Sequence, residues 1–425
     1  MRTRYRSGAW LLAIGLVLAL AACGRSDEGG GAGESGGAQA SEVDTSEASG
    51  DISVWAMGTE GDNLETLATA YMEEFPDVTV EVTSVPWDGA HDRIVNAIAA
   101  QEVPDVTMVG TTWMGEFANL GGLDPVPANI DGSLFFEGAW DTTIVDGTSY
   151  AVPWYVETRL LYYRTDLAED AGITEAPATW DELTALAEGI QSNGAEYGIN
   201  LQPGGTGAWQ TYMPFFWQAG GEIMDDSGAF TLDGDACVQA LTFYDSFFEA
   251  GLTAPAASDV PLEGSFANGD VGAFISGPWM IGIVEDAGTD PATYTVAHQP
   301  TETAGTSFVG GSNLAVLADS DNKPAAWSFV EYLSRPEVQV TWYETVSDLP
   351  SVKSAWEDEA LAGDERLAVF GEQLDDAKAP PSIATWEQVA TEIDTVIEQV
   401  TVGDQSPEEG CAAMQEAATG VGTGM

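Results

Sequence analysis

Basic residues are scarce in this sequence: 12 Lys plus Arg stand against 69 Asp plus Glu, giving a formal net charge of −57. Gripping a phosphate backbone needs clustered Lys and Arg, so nucleic acid is excluded as a partner. Anionic ligands are disfavoured as well, unless a single local Arg holds one. Histidine is scarcer still: His91 and His298 are the only two, and they lack metal-ligand spacing. No metal site and no cofactor is expected. Beyond residue 50 there is no Gly-x-Ser-x-Gly, no phosphate-binding loop and no Cys-x-x-Cys, so no catalytic residue is assigned. Long apolar runs are missing too, since nothing reaches the ~18 residues of a membrane-spanning helix.

Cysteine is limited to Cys23, Cys237 and Cys411. The last two stand at the starts of predicted helices. In an oxidising compartment they suit one disulfide, with two separately buried thiols as the alternative. The sequence supplies no distance to decide between them.

The first fifty residues read as targeting. Arg2, Arg4 and Arg6 precede an apolar stretch from Ala9 to Ala22, and Leu20-Ala21-Ala22-Cys23-Gly24 has the form of a bacterial lipobox. The expectation is a signal peptide over residues 1–22 and a diacylglycerol on the Cys23 sulfur. An ordinary secretory signal with an incidental Cys23 is the plainer reading. Export and anchoring at the outer face of the cytoplasmic membrane follow from the lipobox. Residues 23–50 are Gly, Ser, Ala and acids with hardly a large apolar side chain, which predicts a flexible tether. Loss of the three signal arginines moves the net charge from −57 to −60. Acids scattered through the whole folded region give a strongly hydrated surface and point to a salt-adapted or alkaline habitat.

About 375 residues remain, more than one small core holds, so two lobes are expected. Asp51-Ile-Ser-Val-Trp-Ala-Met57 alternates like a strand, and Gly58 to Asn63 breaks it. Leu64, Leu67, Ala68, Tyr71, Met72 and Phe75 then recur at helical spacing. A strand at Val78 to Val82, a helix around Ile94 and Ile98 and a strand ending at Val109 complete a β-α-β-α-β order. That order predicts a parallel sheet with its ligand site at the carboxyl ends of the strands, beyond Ala56 and Val109. Further helices are predicted at Trp180 to Ile190, Ala236 to Ala250, Lys323 to Leu333, Trp386 to Val400 and Pro407 to Ala418.

Five segments, in order, carry a resemblance. They are Tyr150-Ala-Val-Pro-Trp-Tyr-Val-Glu-Thr-Arg159 with its continuation to Asp166, Pro177-Ala-Thr-Trp-Asp-Glu-Leu183, and Phe266 to Ser276-Gly-Pro-Trp279. Phe308-Val-Gly-Gly-Ser-Asn-Leu-Ala-Val316 and Lys323 to Leu333 complete the set. The chain resembles the extracellular solute-binding proteins of family 1, the maltose-binding-like group of ABC-importer receptors, and Gly110 to Phe117 is similar to the trehalose/maltose branch. The resemblance implies an α/β, two-lobed periplasmic-binding-protein fold of type II. About three crossing strands would make its hinge, with a ligand cleft between the lobes. It places lobe one at residues 51–156 and 313–375 and lobe two at residues 157–311 and 379–425. It also implies a monomer that captures a sugar and delivers it to membrane permease subunits, without catalysis.

A sugar presents C–H patches to aromatic faces and hydroxyls that need partners once buried. On the resemblance, Trp279 stacks on sugar, Trp386 is a second stacking aromatic, and Glu157 is a ligand-binding acid. Trp209, behind a glycine-rich turn, is a third aromatic candidate. Glu157 and Arg159 lie two apart in an extended segment, hence on one side, facing either a ligand or each other. Thr112 and Trp113 end a strand at the cleft, Glu60, after the first strand, is similar to the family in position, and Gly311 with Ser312 lets backbone approach a ligand. Trp180 and Trp327 sit at helical core spacing. Two rivals remain: the same fold holding a polyamine, peptide or other small solute, and a secreted glycoside hydrolase, whose carboxylate pair is easily met by chance in so acidic a chain.

Overall fold

The computed structural model describes residues 42–45, 48–255 and 261–424. The signal peptide, Cys23 and the tether as far as residue 41 lie outside the described residues. The end of the expected tether is seated. The Val43 amide donates to Asn129 Oδ1 at 3.1 Å and Thr45 Oγ1 donates to Glu331 Oε2 at 3.0 Å. Val43 and Ala48 also pack at the edge of a buried apolar cluster. The fold therefore starts before Asp51, because a few side chains find partners that composition alone does not reveal.

Strands β1 (Gly50–Met57), β2 (Val78–Val85) and β3 (Val106–Gly110) are parallel, with β1 in the middle. The strand period of two sends Ile52, Val54 and Ala56 into the core. The stretch read as a break after β1 is a short helix, Gly58–Asn63. A two-residue hairpin pairs β4 (Ile144–Val145) with β5 (Thr148–Ser149). Next, β6 (Val152–Thr158) joins the large sheet. After the single residue Arg159 the chain continues as β7 (Leu160–Arg164) in a different sheet, between β8 (Ala273–Ser276) and β9 (Tyr294–Ala297). The chain returns through β10 (Ser307–Val316), antiparallel to both β6 and β3. Two short strands complete the large sheet: β11 (Leu349–Pro350) flanks β6 and β12 (Ala377–Lys378) pairs with the start of β10. The resulting order is β11-β6-β10-β3-β1-β2.

Each sheet has its own core. Around the large sheet pack Val54, Tyr71, Trp154, Trp327 and Trp342. A second cluster gathers Leu161, Trp180, Tyr212, Phe215, Tyr244 and Ile393. Two α/β lobes joined by strands that pass from sheet to sheet are what the sequence predicted. Cys237, on helix Asp235–Glu249, is bonded to Cys411 on helix Pro407–Val421, so of the two arrangements left open the protein has the bridge.

Helix Glu365–Gln373, expected in lobe one, packs against the small sheet instead. Its Leu367 and Phe370 join a cluster with Tyr162, Phe274 and Tyr294, and Arg366 Nη1 donates to Glu285 Oε1 at 2.6 Å. The sequence hid this because β11 is two residues long, too short for any periodicity to show.

The hinge depends on one backbone conformation. Gly311 has φ +119°, and a Cβ there would lie 2.2 Å from the Tyr155 carbonyl oxygen of the neighbouring strand. Gly311→Ala is expected to cost about 3 kcal/mol or more, combining left-handed strain with a backbone clash. Urea unfolding reads this directly, and an unchanged midpoint would contradict it.

Candidate functional site

The carboxyl ends of the parallel strands deliver the first wall of a cavity of about 450 Å³. Glu60 comes from the short helix after β1, Trp87 from the loop after β2, and Gly110 to Trp113 from the turn after β3. The hinge strands add Tyr155, Val156 and Glu157 from β6 and Phe308, Gly310 and Gly311 from β10. Across the cavity stand Gln210, near the start of helix Ala208–Gln218, and Pro278 with Trp279, just ahead of helix Met280–Asp286. Val346 to Leu349, leading into β11, close the remaining side.

Trp87 and Trp279 are both 41% exposed, far above the other tryptophans that sit in the cores. Trp87 stands edge-on to Trp113 at 5.8 Å and its indole packs on Gly58, where a Cβ would meet Nε1 at 2.5 Å. Trp113 is further fixed edge-on by His91 at 5.3 Å, and His91 Nε2 lies 2.8 Å from Glu116.

Three carboxylates converge here: Glu60, Glu157 and Asp348. Burial raises the Glu60 carboxyl above its usual range, opposed by its own backbone amide and by the Tyr155 hydroxyl that bonds to it. Burial raises Asp348 much further, with Glu60 adding repulsion, while the Trp342 indole N–H, donating to Asp348 Oδ2 at 3.0 Å, pulls the other way. Tyr155 is held protonated by burial and then by the Glu60 and Asp348 charges beside it.

This arrangement has a signed consequence for stability. A carboxyl raised by folding stabilises the native state fully below its unfolded pKa of about 4, and loses that contribution as pH rises through the folded value. At neutral pH the buried Asp348 carboxyl thus costs the fold stability that it does not cost at low pH. Asp348→Asn, whose carbonyl can still accept from Trp342, is expected to raise the melting temperature at pH 7.5. The gain should close toward pH 4. Ligand-free thermal melts across that range check it, and a gain independent of pH would show that charge is not the cause.

The predicted site residues divide into two groups. Glu60, Thr112, Trp113, Glu157, Trp279 and Gly311 all line this one cavity. Ser312 does not: it is 0% exposed, and its Oγ donates to the Val109 carbonyl at 3.0 Å, tying β10 to β3. Trp209 and Trp386, expected at the ligand, are instead core residues at 5% and 0% exposure, their rings edge-on at 5.2 Å. The reason is helical phase: successive residues point about 100° apart, so Gln210 reaches the cavity while Trp209 turns inward onto Trp386 and Phe308. Asp394 fixes that phase by accepting from the Gly207 and Trp209 amides at 2.8 Å each. Arg159 is not on the cavity wall but behind it, with Nη2 at 3.5 Å from Glu157 Oε1.

Trp87, Tyr155, Gln210, Phe308 and Asp348 were missed. Trp87 was within reach of the rule applied to β1 and β3, since it too follows a parallel strand. Asp348 had no distinguishing signal among 69 acids.

A larger groove of about 600 Å³ runs between Glu137 to Ile144 and Leu374 to Ser382. No aromatic side chain lines it, so it offers none of the stacking faces found in the first. A cavity walled by aromatic faces and hydrogen-bonding carboxylates between two α/β lobes has the geometry of a cleft-type binding site. More particularly, residues 56–340 match the bacterial extracellular solute-binding protein family, and the chain belongs to it. It is similar to the sugar-binding protein MalE of Xanthomonas citri, with 31% identity, a TM-score of 0.83, and coverage of 88% of this chain and 97% of that one. It is 29% identical to the diacetylchitobiose-binding protein of Streptomyces coelicolor, covering 75% of each chain. It is 28% identical to the maltotriose-binding protein of Pyrococcus abyssi, covering 82% of this chain and 78% of the relative. Each of these relatives is named as a binding protein.

Proposed function

We propose that this chain is the lipid-anchored receptor of an ABC importer, capturing a di- or oligosaccharide in the cavity and presenting it to the permease. The observation that carries the reading is the convergence of exposed indoles from both sides, Trp87 and Trp279, with Glu60, Glu157 and Asp348 between them. Flat faces take the C–H patches of a pyranose, and carboxylates accept strong charge-assisted hydrogen bonds from its hydroxyls. The relatives' names, diacetylchitobiose-, maltotriose- and sugar-binding, point the same way. A trehalose- or maltose-type ligand is the specific choice, and Cys23 is the lipidated residue. The lobes keep the bounds 51–156 with 313–375 and 157–311 with 379–425, except that helix Glu365–Gln373 goes with lobe two, since it packs on the small sheet. Closure of the lobes about the hinge is the functional motion.

The three carboxylates also favour a second reading, a polyamine held by the same aromatic walls. A thermal-shift panel of maltose, trehalose, maltotriose, diacetylchitobiose and spermidine separates the two. Stabilisation by one or more of the sugars supports the proposal, and stabilisation by spermidine alone would overturn it. Sustained glycoside hydrolysis by the pure protein would overturn it as well.

A further inference from the structure

We propose that Arg159 is a positioning residue, the tie that seats four side chains of the cavity wall, and that it does not itself contact ligand. Its place in the fold is singular, being the one residue between β6 in the large sheet and β7 in the small one. Its backbone is pinned, because the Arg159 carbonyl accepts from Ser307 Oγ at 2.7 Å and from Gln299 Nε2 at 3.1 Å. Its side chain is 12% exposed and does not line the cavity.

The four side chains the guanidinium meets by hydrogen bond, ion pair or ring contact all line the cavity. Nη2 donates to Gln210 Oε1 at 2.8 Å and lies 3.5 Å from Glu157 Oε1. Cζ stands 4.6 Å from the Trp279 ring centre and 5.7 Å from that of Phe308. These four partners belong to four separate elements: β6, helix Ala208–Gln218, the turn before helix Met280–Asp286, and β10. The β6–β10 ladder already holds Glu157 and Phe308 in register, but Gln210 and Trp279 stand outside it, and one planar cation reaches all four. Trp279 depends on it most, since its indole is 41% exposed. Its other close support is Gly277, where a Cβ would fall 2.0 Å from Cζ3, so the ring lies on bare backbone. A planar guanidinium donates in its own plane while its face lies against an aromatic ring; a lysine ammonium offers neither the fork nor the plane.

The role in recognition rests on the reading that this cavity takes the ligand; the role in seating Trp279 does not, and the test separates them. Full-length mature protein labelled with 5-fluorotryptophan is observed by ¹⁹F NMR without ligand, with Trp279→Phe assigning the resonance. In Arg159→Met and in Arg159→Lys the Trp279 line is expected to move and broaden while the lines of the core tryptophans stay in place. Gln210→Leu, which keeps the arginine but removes its hydrogen bond, should move the same line less. It also serves if the Arg159 variants fold poorly. A Trp279 line unmoved in all three variants overturns the proposal.

Isothermal titration with maltotriose as probe supplies the second arm. Arg159→Met should weaken binding roughly tenfold, which is about 1.4 kcal/mol, and should add clearly less in a Trp279→Ala background, where one of its four partners is gone. A full tenfold loss that persists there would mean that the seating of Trp279 carries none of the effect, and the proposal falls. If maltotriose gives no heat with the unmodified protein, the choice of a maltose-type sugar fails while the resonance still decides the role of Arg159.

Discussion

Replacing both Cys237 and Cys411 with alanine is expected to lower stability more than any other two-residue change in the molecule. The bridge closes a loop with a sequence separation of 174, for which loss of the cross-link releases chain entropy worth about 5 kcal/mol in the unfolded state. The helices it joins lie in the core of the second lobe, where both cysteines are 1% exposed. The surrounding contacts soften the loss without replacing the constraint. Chemical denaturation of the double variant and of the native protein, with and without reductant, reads the effect. Native protein in reductant should fall toward the variant, whereas the variant should ignore the reductant. Equal stability in all four samples would show that packing, not the cross-link, holds these helices together.

Trp279→Ala is expected to produce the largest loss of binding. An exposed indole on a ligand cavity behaves as an anchor, and truncating such an anchor costs roughly 2–3 kcal/mol, or about two orders of magnitude in affinity. The informative control is Trp209→Phe. Trp209 is a tryptophan of the same half of the molecule, but it is buried against Trp386 and Phe308. Its replacement should lower the melting temperature and leave affinity within a few-fold, because the cavity wall is one helical step away at Gln210. Calorimetric titration with the sugar that stabilises the protein most distinguishes the two. If both variants lost affinity equally, the division between wall and core drawn here would be wrong.

The contrast between those two tryptophans shows how far the sequence is readable. Strand alternation from Asp51 and helical spacing from Leu64 are local properties, and both elements formed where they were expected. The rule that parallel strands present their site at their carboxyl ends located Thr112 and Trp113, and the resemblance located Glu60; all three line the cavity. What failed were questions of phase and of distant partnership. Whether Trp209 or Gln210 faces the cleft turns on 100° of helix rotation, set by Asp394 some 185 residues away. Asp348 becomes unusual only when Glu60, Glu157 and Trp342 are brought around it. Helix Glu365–Gln373 has an apolar face but nothing in its sequence to say which sheet will cover it.

The seating of Val43 and Thr45 on Asn129 and Glu331 also decides how force enters the molecule. Any pull along the N-terminal segment arrives at those two contacts, beside the helices of the large sheet. Those hydrogen bonds and the apolar contacts of Val43 and Ala48 take the load ahead of β1. The half of the molecule built on the small sheet, with Gln210 and Trp279, receives that load through the strands that pass between the sheets and through contacts such as Ser382 on the Thr142 carbonyl and Ile383 against Gly115.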